Sequence, residues 1–356
     1  MNPLTKEYKA RHHRNFILLA VVIAVTAAIA IYSICVTQYS ISFSEALNVI
    51  HNHRYHIEPT TYREELVDFL VWDGLIPRSI VGVLIGAILG LCGCLMQSTI
   101  RNPLADPYTT GISSGALLGV TLSVIFGISI IPGLDSDLGM MTMAFIFALI
   151  PCSVILLIAT FKKVSPTMIV LIGIALMYLF TSISTLFRYT GTDESVAIIY
   201  SWTVGTLGWS KWSSVLPLMV TFVAVFVLSM LMSRSINVMS TSDRLAISLG
   251  VDPQKIRITC LVIVSIAAAI AVCYSGTIGF VGLVAPHIAR IFVGSNTRVL
   301  IPASACIGAF TLIAADAVAR VIVSTGLPVG VITSLVGGPI FLIILVRQKK
   351  SAWGPA

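Results

Sequence analysis

Residues Ser275–Arg290 read SGTIGFVGLVAPHIAR, and this stretch decides what kind of chain this is. It lies among segments apolar enough to cross a bilayer. Yet it places Gly276, Gly279, Gly282 and Pro286 in one short interval. In a helix interior glycine costs about 1 kcal/mol and proline about 3 kcal/mol relative to alanine. A membrane segment that accepts both is a broken span. Irregular backbone at membrane depth survives only where protein or a water-filled cavity covers its free N–H and C=O groups. The break therefore predicts a translocation protein rather than an anchor.

The rest of the chain supports this reading. Its 356 residues are 57% hydrophobic and 10% charged, and the mean hydropathy is +0.98. A spanning helix needs about 20 apolar residues. Ten segments qualify or nearly so: Phe16–Val36, Pro77–Gln97, Gly115–Ile131, Met141–Phe161, Thr167–Phe187, Ser214–Met232, Ile256–Tyr274, the half-length Leu283–Gly294, Val299–Val321 and Val329–Val346. The expected fold class is all-α and polytopic, with about ten transmembrane helices, one of them short and broken. The first segment is too long for a signal-peptide core and no small-x-small cleavage site closes it, so it reads as a retained span. Residues 1–356 form a single transmembrane domain without linker or soluble module. Its extramembrane pieces are a tail at 1–15, an outer loop at 37–76 and an inner loop at 233–255.

The net charge of +7 does not point to nucleic acid, because of where the charges fall. With the N-terminus inside, most Lys and Arg lie in inner segments, from Lys6, Lys9, Arg11 and Arg14 through Lys162 and Lys163 to Arg347, Lys349 and Lys350. Arg54, Arg63, Arg78, Arg188, Lys211 and Arg320 lie in outer segments, with acidic residues such as Asp73, Asp135 and Asp193. This positive-inside bias places both termini in the cytoplasm. Seven cysteines sit within spans and read as small apolar packing residues.

Two loops carry local helix signals. In ISFSEALNVI, Ser44 is expected to cap a short amphipathic helix. In SRSINVMSTSDRLAISLGVDPQK, Ser242 or Thr241 can cap a helix over Asp243–Leu249, with Asp243 in its first turn and Gly250 as its stop. So short a helix is unstable alone and needs something to dock on. Gly and Pro also break the pattern at Gln97–Ala116, where Gly111 and Gly115 permit close packing, and at Thr325–Pro339.

No stretch reads as catalytic. The chain has no phosphate-cradling G-x-x-x-x-G-K-[ST] loop, no nucleophile elbow and no zinc helix. No cofactor or metal site is expected, and any ATP must be hydrolysed on another chain. His51, His53 and His56 in HNHRYH can be metal ligands or a solvated loop, the latter favoured. Asp316 and Arg320 share a helix face, equally suited to a structural pair or a functional one. Arg78 is an outer arginine against the charge trend, an anchor or half of an ion pair. His287 reads as a packing residue rather than a proton carrier.

Taken in order, IPRSIVGVLIGAILGLCGCLMQ, RNPLADPYTTGISSGA, SDRLAISLG, GTIGFVGLVAPHIAR, ADAVAR and LPVGVITSLVGGPIFLIIL resemble the permease of type II ABC importers, the family for ferric siderophores, haem and cobalamin. The likeness runs from about Ile41 to Arg347. It implies a permease that pairs with a second copy or a homologue, two cytoplasmic ATPase subunits that bind the ATP, and one extracytoplasmic substrate-binding protein. It also implies a metal-chelate cargo and the cytoplasmic (inner) membrane of a prokaryote. Arg78 and Arg320 match the arginines that dock the binding protein. Some members carry another arginine where this chain has Leu75. Ser242, Asp243, Arg244, Leu245, Ala246, Ile247, Ser248, Leu249 and Gly250 match the ATPase coupling helix. Asn102, Pro103 and Leu104, with Ser165 and Pro166, match segments that close the cytoplasmic end of the pathway. Gly276, Gly279, Gly282, Pro286, His287 and Asp316 form the structural, broken-helix set. Ferric siderophore is the first expectation for cargo, then haem, then cobalamin. An ion-coupled secondary transporter is the alternative of another class, with Asp316, toward an outer end of its span, as its one ionisable candidate.

Overall fold

A computed structural model describes residues 3–37, 39, 41–130, 136–162, 164–323 and 326–347. Asp135, Lys163, Thr325, Lys349 and Lys350 lie outside these residues. The described chain is helical, without strands. In order it forms α1 (Pro3–Ser33), α2 (Phe43–Tyr55), α3 (Tyr62–Asp68), α4 (Ile76–Ile100), α5 (Ile112–Phe126), α6 (Ser136–Phe161), α7 (Pro166–Arg188), α8 (Asp193–Val204), α9 (Trp212–Met239), α10 (Asp243–Ser248), α11 (Pro253–Ser275), α12 (Val281–Val293), α13 (Thr297–Ile322) and α14 (Val329–Arg347). Among the described residues, 6 helical stretches are long and apolar enough to cross a membrane. Four shorter apolar helices lie at Ile17–Ser33, Ile112–Phe126, Val281–Val293 and Val329–Ile343. Each segment expected from hydropathy coincides with one of these.

The helix containing α4 is longer than the sequence suggests. A π-helical stretch at Phe69–Leu75 joins α3 to α4, so one helix runs from Tyr62 to Ile100. Pro77, at the start of α4, has no N–H to donate. The wider π turns precede it, and the Ile76 N–H reaches back to the Val71 carbonyl. The N-cap of α2 also differs from expectation. It is Ser42, not Ser44, because Glu45 three residues on completes a capping box with Ser42. α8 was not expected, although Thr192 caps it and Asp193 and Glu194 fill its first turn.

α4 is the central post. Its most apolar window is 89% buried, against 22% for α7 and for α9. It packs on α13, α9, α12 and α11. Without water in the bilayer, helices gain mainly from close backbone approach at small residues. Here Gly86 and Gly90 of α4 meet Gly308 and Ser304 of α13. A Cβ on Gly86 would lie 2.4 Å from the Gly308 carbonyl, and one on Gly90 would lie 2.2 Å from the Ser304 carbonyl. α5, α6 and α7 pack together as a second group, joined to the first through α11. α2, α3 and the π segment fold over one end on a small core of Ile41, Ala46, Val49, Val67, Val71 and Ile76.

The break predicted at 275–290 lies between α11 and α12. Gly276 ends α11 with φ +66, and a Cβ there would sit 2.2 Å from the Trp202 carbonyl. The free backbone groups are covered by other breaks. Thr206 N–H donates to the Ser275 carbonyl at 2.8 Å, and Gly330 N–H to the Gly205 carbonyl at 3.1 Å. The Thr277 hydroxyl donates to the Thr203 carbonyl. The end of α8, the α11–α12 break and the start of α14 thus satisfy one another inside protein, as the bilayer demands.

Candidate functional site

The residues singled out by sequence collect at the two ends of the bundle and at the breaks between them. At the end capped by α2 and α3, Arg78 in the first turn of α4 meets Asp316 of α13. Its Nη2 donates to Asp316 Oδ1 at 2.7 Å and its Nε to both carboxylate oxygens at 3.0 and 3.2 Å. Arg320, one turn further along α13, lies 3.1 Å from Asp316 Oδ2 through Nε. Its Nη1 donates to the Ser33 carbonyl at 2.8 Å. The two expected mouth arginines therefore share one carboxylate. Asp316 is 0% exposed and Arg78 20%, while Arg320 is 6% exposed. Arg78 faces a depression of about 1620 Å³ that Asp73, Asp137, Lys211, Tyr274 and Arg320 also line. Arg320, also on its wall, reaches back to α1 at the Ser33 carbonyl.

The histidine loop is a helix rather than a loose segment. His53 stacks on Trp72 with ring centroids 3.9 Å apart and bonds Asp68 at 3.1 Å. His51 leans on Tyr55, and His56 closes α2 in the left-handed region. Trp212 Nε1 donates to the Trp72 carbonyl at 2.8 Å, which ties this cap to α9. Glu45 accepts from Arg63 Nε at 2.9 Å. The Arg63 bond first, then the bonds from Ser42, lower its carboxyl to about 2.

At the opposite end α10 forms where expected. Ser242 caps it, accepting from Leu245 N–H at 3.1 Å, and Gly250 follows with φ +78. The helix has two faces. Ala246 is fully buried, while Leu245, Ile247 and Leu249 are 43%, 65% and 61% exposed. Arg244 and Ser248 are exposed as well. Asp243 turns inward. It accepts from Arg101 Nη2 at 2.9 Å and from Arg257 Nη2 at 3.0 and 3.1 Å. Arg101 closes α4 in the left-handed region, φ 54. Arg257, in the second turn of α11, also donates through Nε to the Thr99 carbonyl at 3.2 Å. Sequence reasoning treated Arg101 and Arg257 as mere inner charges. Nothing local reveals that they converge on one carboxylate, because the pairing spans 142 positions for Arg101.

The expected closing segments are a turn and a helix cap. Asn102 Oδ1 accepts from Leu104 N–H at 2.9 Å, Pro103 lies between them, and Leu104 is 45% exposed. Ser165 caps α7 through Met168 N–H at 3.2 Å, with Pro166 next in its first turn.

Between the ends, the breaks line a cavity of about 660 Å³, with Tyr108, Ser113, Thr203, Thr277, Gly279 and Ser334 on its walls and, among the described residues, no Asp, Glu, Lys or Arg. Gly282 of α12 packs against the turn before α5 and against α4. A Cβ there would come within 3.0 Å of Asp106 Oδ1. Asp106 is a buried carboxylate that sequence reasoning passed over. It caps the 3-10 turn Pro107–Thr110 that leads into α5. Pro286 is accommodated inside α12. Its neighbour His287, 2% exposed, meets Phe341 edge-on. Among the described residues no group of three or more His, Cys, Asp or Glu can hold a metal ion, and the seven cysteines are free.

Known proteins match this chain along most of its length. The profile of the FecCD transport family matches residues 19–347. The chain belongs to the FecCD transport family. It is a multi-pass membrane permease of the metal-chelate ABC importer class. It is 35% identical to the hemin transport system permease protein of Yersinia pestis, over 80% of this chain and 85% of that one. It is 34% identical to the iron(3+)-hydroxamate import system permease protein of Bacillus subtilis, over 83% of this chain and 75% of that one. A solved structure described provisionally as a metal-chelate type ABC transporter, in an inward-facing conformation, superposes with TM-score 0.78 at 27% identity. It covers 93% of this chain and 98% of that one.

Proposed function

We propose that this chain is the transport subunit of an ABC importer for a metal chelate, a ferric siderophore first, with haem or cobalamin as alternatives in the same class. It works with a second permease copy, two ATPase subunits and an extracytoplasmic binding protein, in the inner membrane of a prokaryote. The observation that carries this reading is α10. Its apolar residues Leu245, Ile247 and Leu249 point away from the bundle, while Asp243 fastens it to α4 and α11. A pure bilayer protein has no use for a helix with an exposed apolar face at its polar end, whereas a motor subunit would bury it. ATP-driven movement of that motor would switch the pathway between outward and inward access.

The cargo reading rests on two supports. Relatives named for hemin and for iron(3+)-hydroxamate lie at nearly equal distance, so both chelates fit the family. The mid-bundle cavity is lined by hydroxyls and apolar groups without a formal charge, which suits a bulky chelate that must bind weakly and leave. At the mouth, Arg78 is the arginine presented to the binding protein, and Arg320 supports it through Asp316. The ion-coupled alternative has little to draw on. Asp316 is engaged by two guanidiniums and Asp106 by a helix cap.

Gentle purification of the chain from its native membrane, with mass spectrometry and a visible absorption spectrum, tests the proposal. An ATPase subunit in the eluate is expected, with a ferric-chelate, haem or corrinoid band that names the cargo. An intact permease without any ATPase would overturn it.

A further inference from the structure

We propose that Asp243 is a positioning residue that carries movement of α10 into α4 and α11, rather than a contact for the motor. The inference rests on the proposed role of α10 as the motor's docking site.

A six-residue helix cannot hold its own place. Ser242 caps α10 and the Ala246 methyl packs inward, but neither reaches the long helices through a charged bond. Asp243 does. Its Oδ1 takes one hydrogen bond from Arg101, the cap of α4, and one from Arg257 of α11. The Arg257 guanidinium also holds the Thr99 carbonyl in the last turn of α4. One carboxylate thus gathers the start of α10, the end of α4 and the first turns of α11. The apolar residues that face outward are Leu245, Ile247 and Leu249. The helix therefore divides its labour by face, with apolar contact outside and charged linkage inside.

The linkage leads somewhere. α4 has 25 residues, about 37 Å of rigid helix at 1.5 Å per residue. It is buried along nearly its whole length, and its first turn carries Arg78 at the far depression. A displacement of α10 pulls on the near end of α4 through Arg101 and Arg257, and the helix delivers it to the mouth. Charge-assisted bonds suit this, because they are directional and stronger than bonds between neutral groups.

The test uses the full complex in native membranes. Ser201→Cys, on α8 at the depression, reports mouth accessibility by its maleimide labelling rate with ATP or ADP, in a Cys35→Ser background. In otherwise wild-type complex, ATP should change the labelling rate about fivefold or more, the scale of a typical coupling free energy. Asp243→Asn should bring that response within about twofold while the motor stays bound and hydrolyses ATP, and Asp243→Glu should restore it. Leu249→Glu should instead release the motor. Should Asp243→Asn fail to fold, Arg101→Gln removes one arm only and should lower the response with the motor retained. The proposal is overturned if Asp243→Asn loses the motor as Leu249→Glu does, if either clamp variant keeps the full ATP response, or if the mouth ignores ATP while a bound motor hydrolyses it. A wild-type complex with no motor at all would sink the functional reading, and this inference with it.

Discussion

The two ends of α4 carry the same motif in different surroundings. At one end Asp316 sits between Arg78 and Arg320, and at the other Asp243 sits between Arg101 and Arg257. Asp316 is 0% exposed, whereas Asp243 is 38% exposed. In the first, the charges have left water and depend on each other. Taking one partner away strands the others in a poor dielectric. In the second, water reaches the carboxylate and Arg101, so that pair is individually weak and can be remade, while Arg257 stays buried behind it. The comparison teaches that the first is a strut and the second a joint. The joint stands where movement must enter, and the strut where the mouth must keep its shape.

Four results would break or sharpen that contrast. The largest effect is expected from Asp316→Ala, which leaves Arg78 and Arg320 facing each other in a buried site. A loss of about 3–5 kcal/mol is the usual scale for breaking a buried pair. The fraction of chain recovered monodisperse after detergent extraction should collapse, and normal recovery would show that the strut bears no weight. Next is Leu249→Glu, which puts a charge on the outward face of α10. Motor affinity should fall by about 2 kcal/mol, on the order of 30-fold, as for a central contact residue, and binding assays on the purified permease would detect it. Arg101→Gln comes third. The fold should lose less than about 1 kcal/mol, as for an exposed pair, and denaturant unfolding of the purified permease would register a larger loss if Asp243 were held as tightly as Asp316.

The smallest effect concerns the cap over the mouth. The Arg63 bond and then the Ser42 bonds hold the Glu45 carboxyl down at about 2. A depressed carboxyl contributes stability that is complete above its ordinary value of 4.5 and is lost as pH falls toward about 2. The protection of α2 amides, relative to their intrinsic exchange rates, should therefore fall slightly below pH 4.5, and Glu45→Gln should remove that loss of protection. An unchanged profile in the variant would place its origin elsewhere.

What could be read from sequence followed physical range. Hydropathy found every apolar helix, because burial in lipid acts on each segment separately. The break at Gly276 and the cap of α10 at Ser242 were legible, since both depend on residues within a few positions. The cap of α2 was misplaced by two residues because Ser42 and Ser44 both suit the role, and only the partner Glu45 decides between them. The π turn before Pro77 left no simple signal, as its apolar residues look like any helix end. The clamps at the ends of α4 were the least legible. Asp316 and Arg320 could be paired from their spacing on one helix. Arg78 reaches them across 238 positions, and such pairing is decided by the fold.

The most direct test of the strut and the joint is thermal unfolding of the purified permease with Asp316→Asn and Asp243→Asn side by side. The account predicts a melting temperature several degrees lower for Asp316→Asn and one within about 2 °C of wild type for Asp243→Asn. Equal losses, or the larger loss at Asp243, would contradict it.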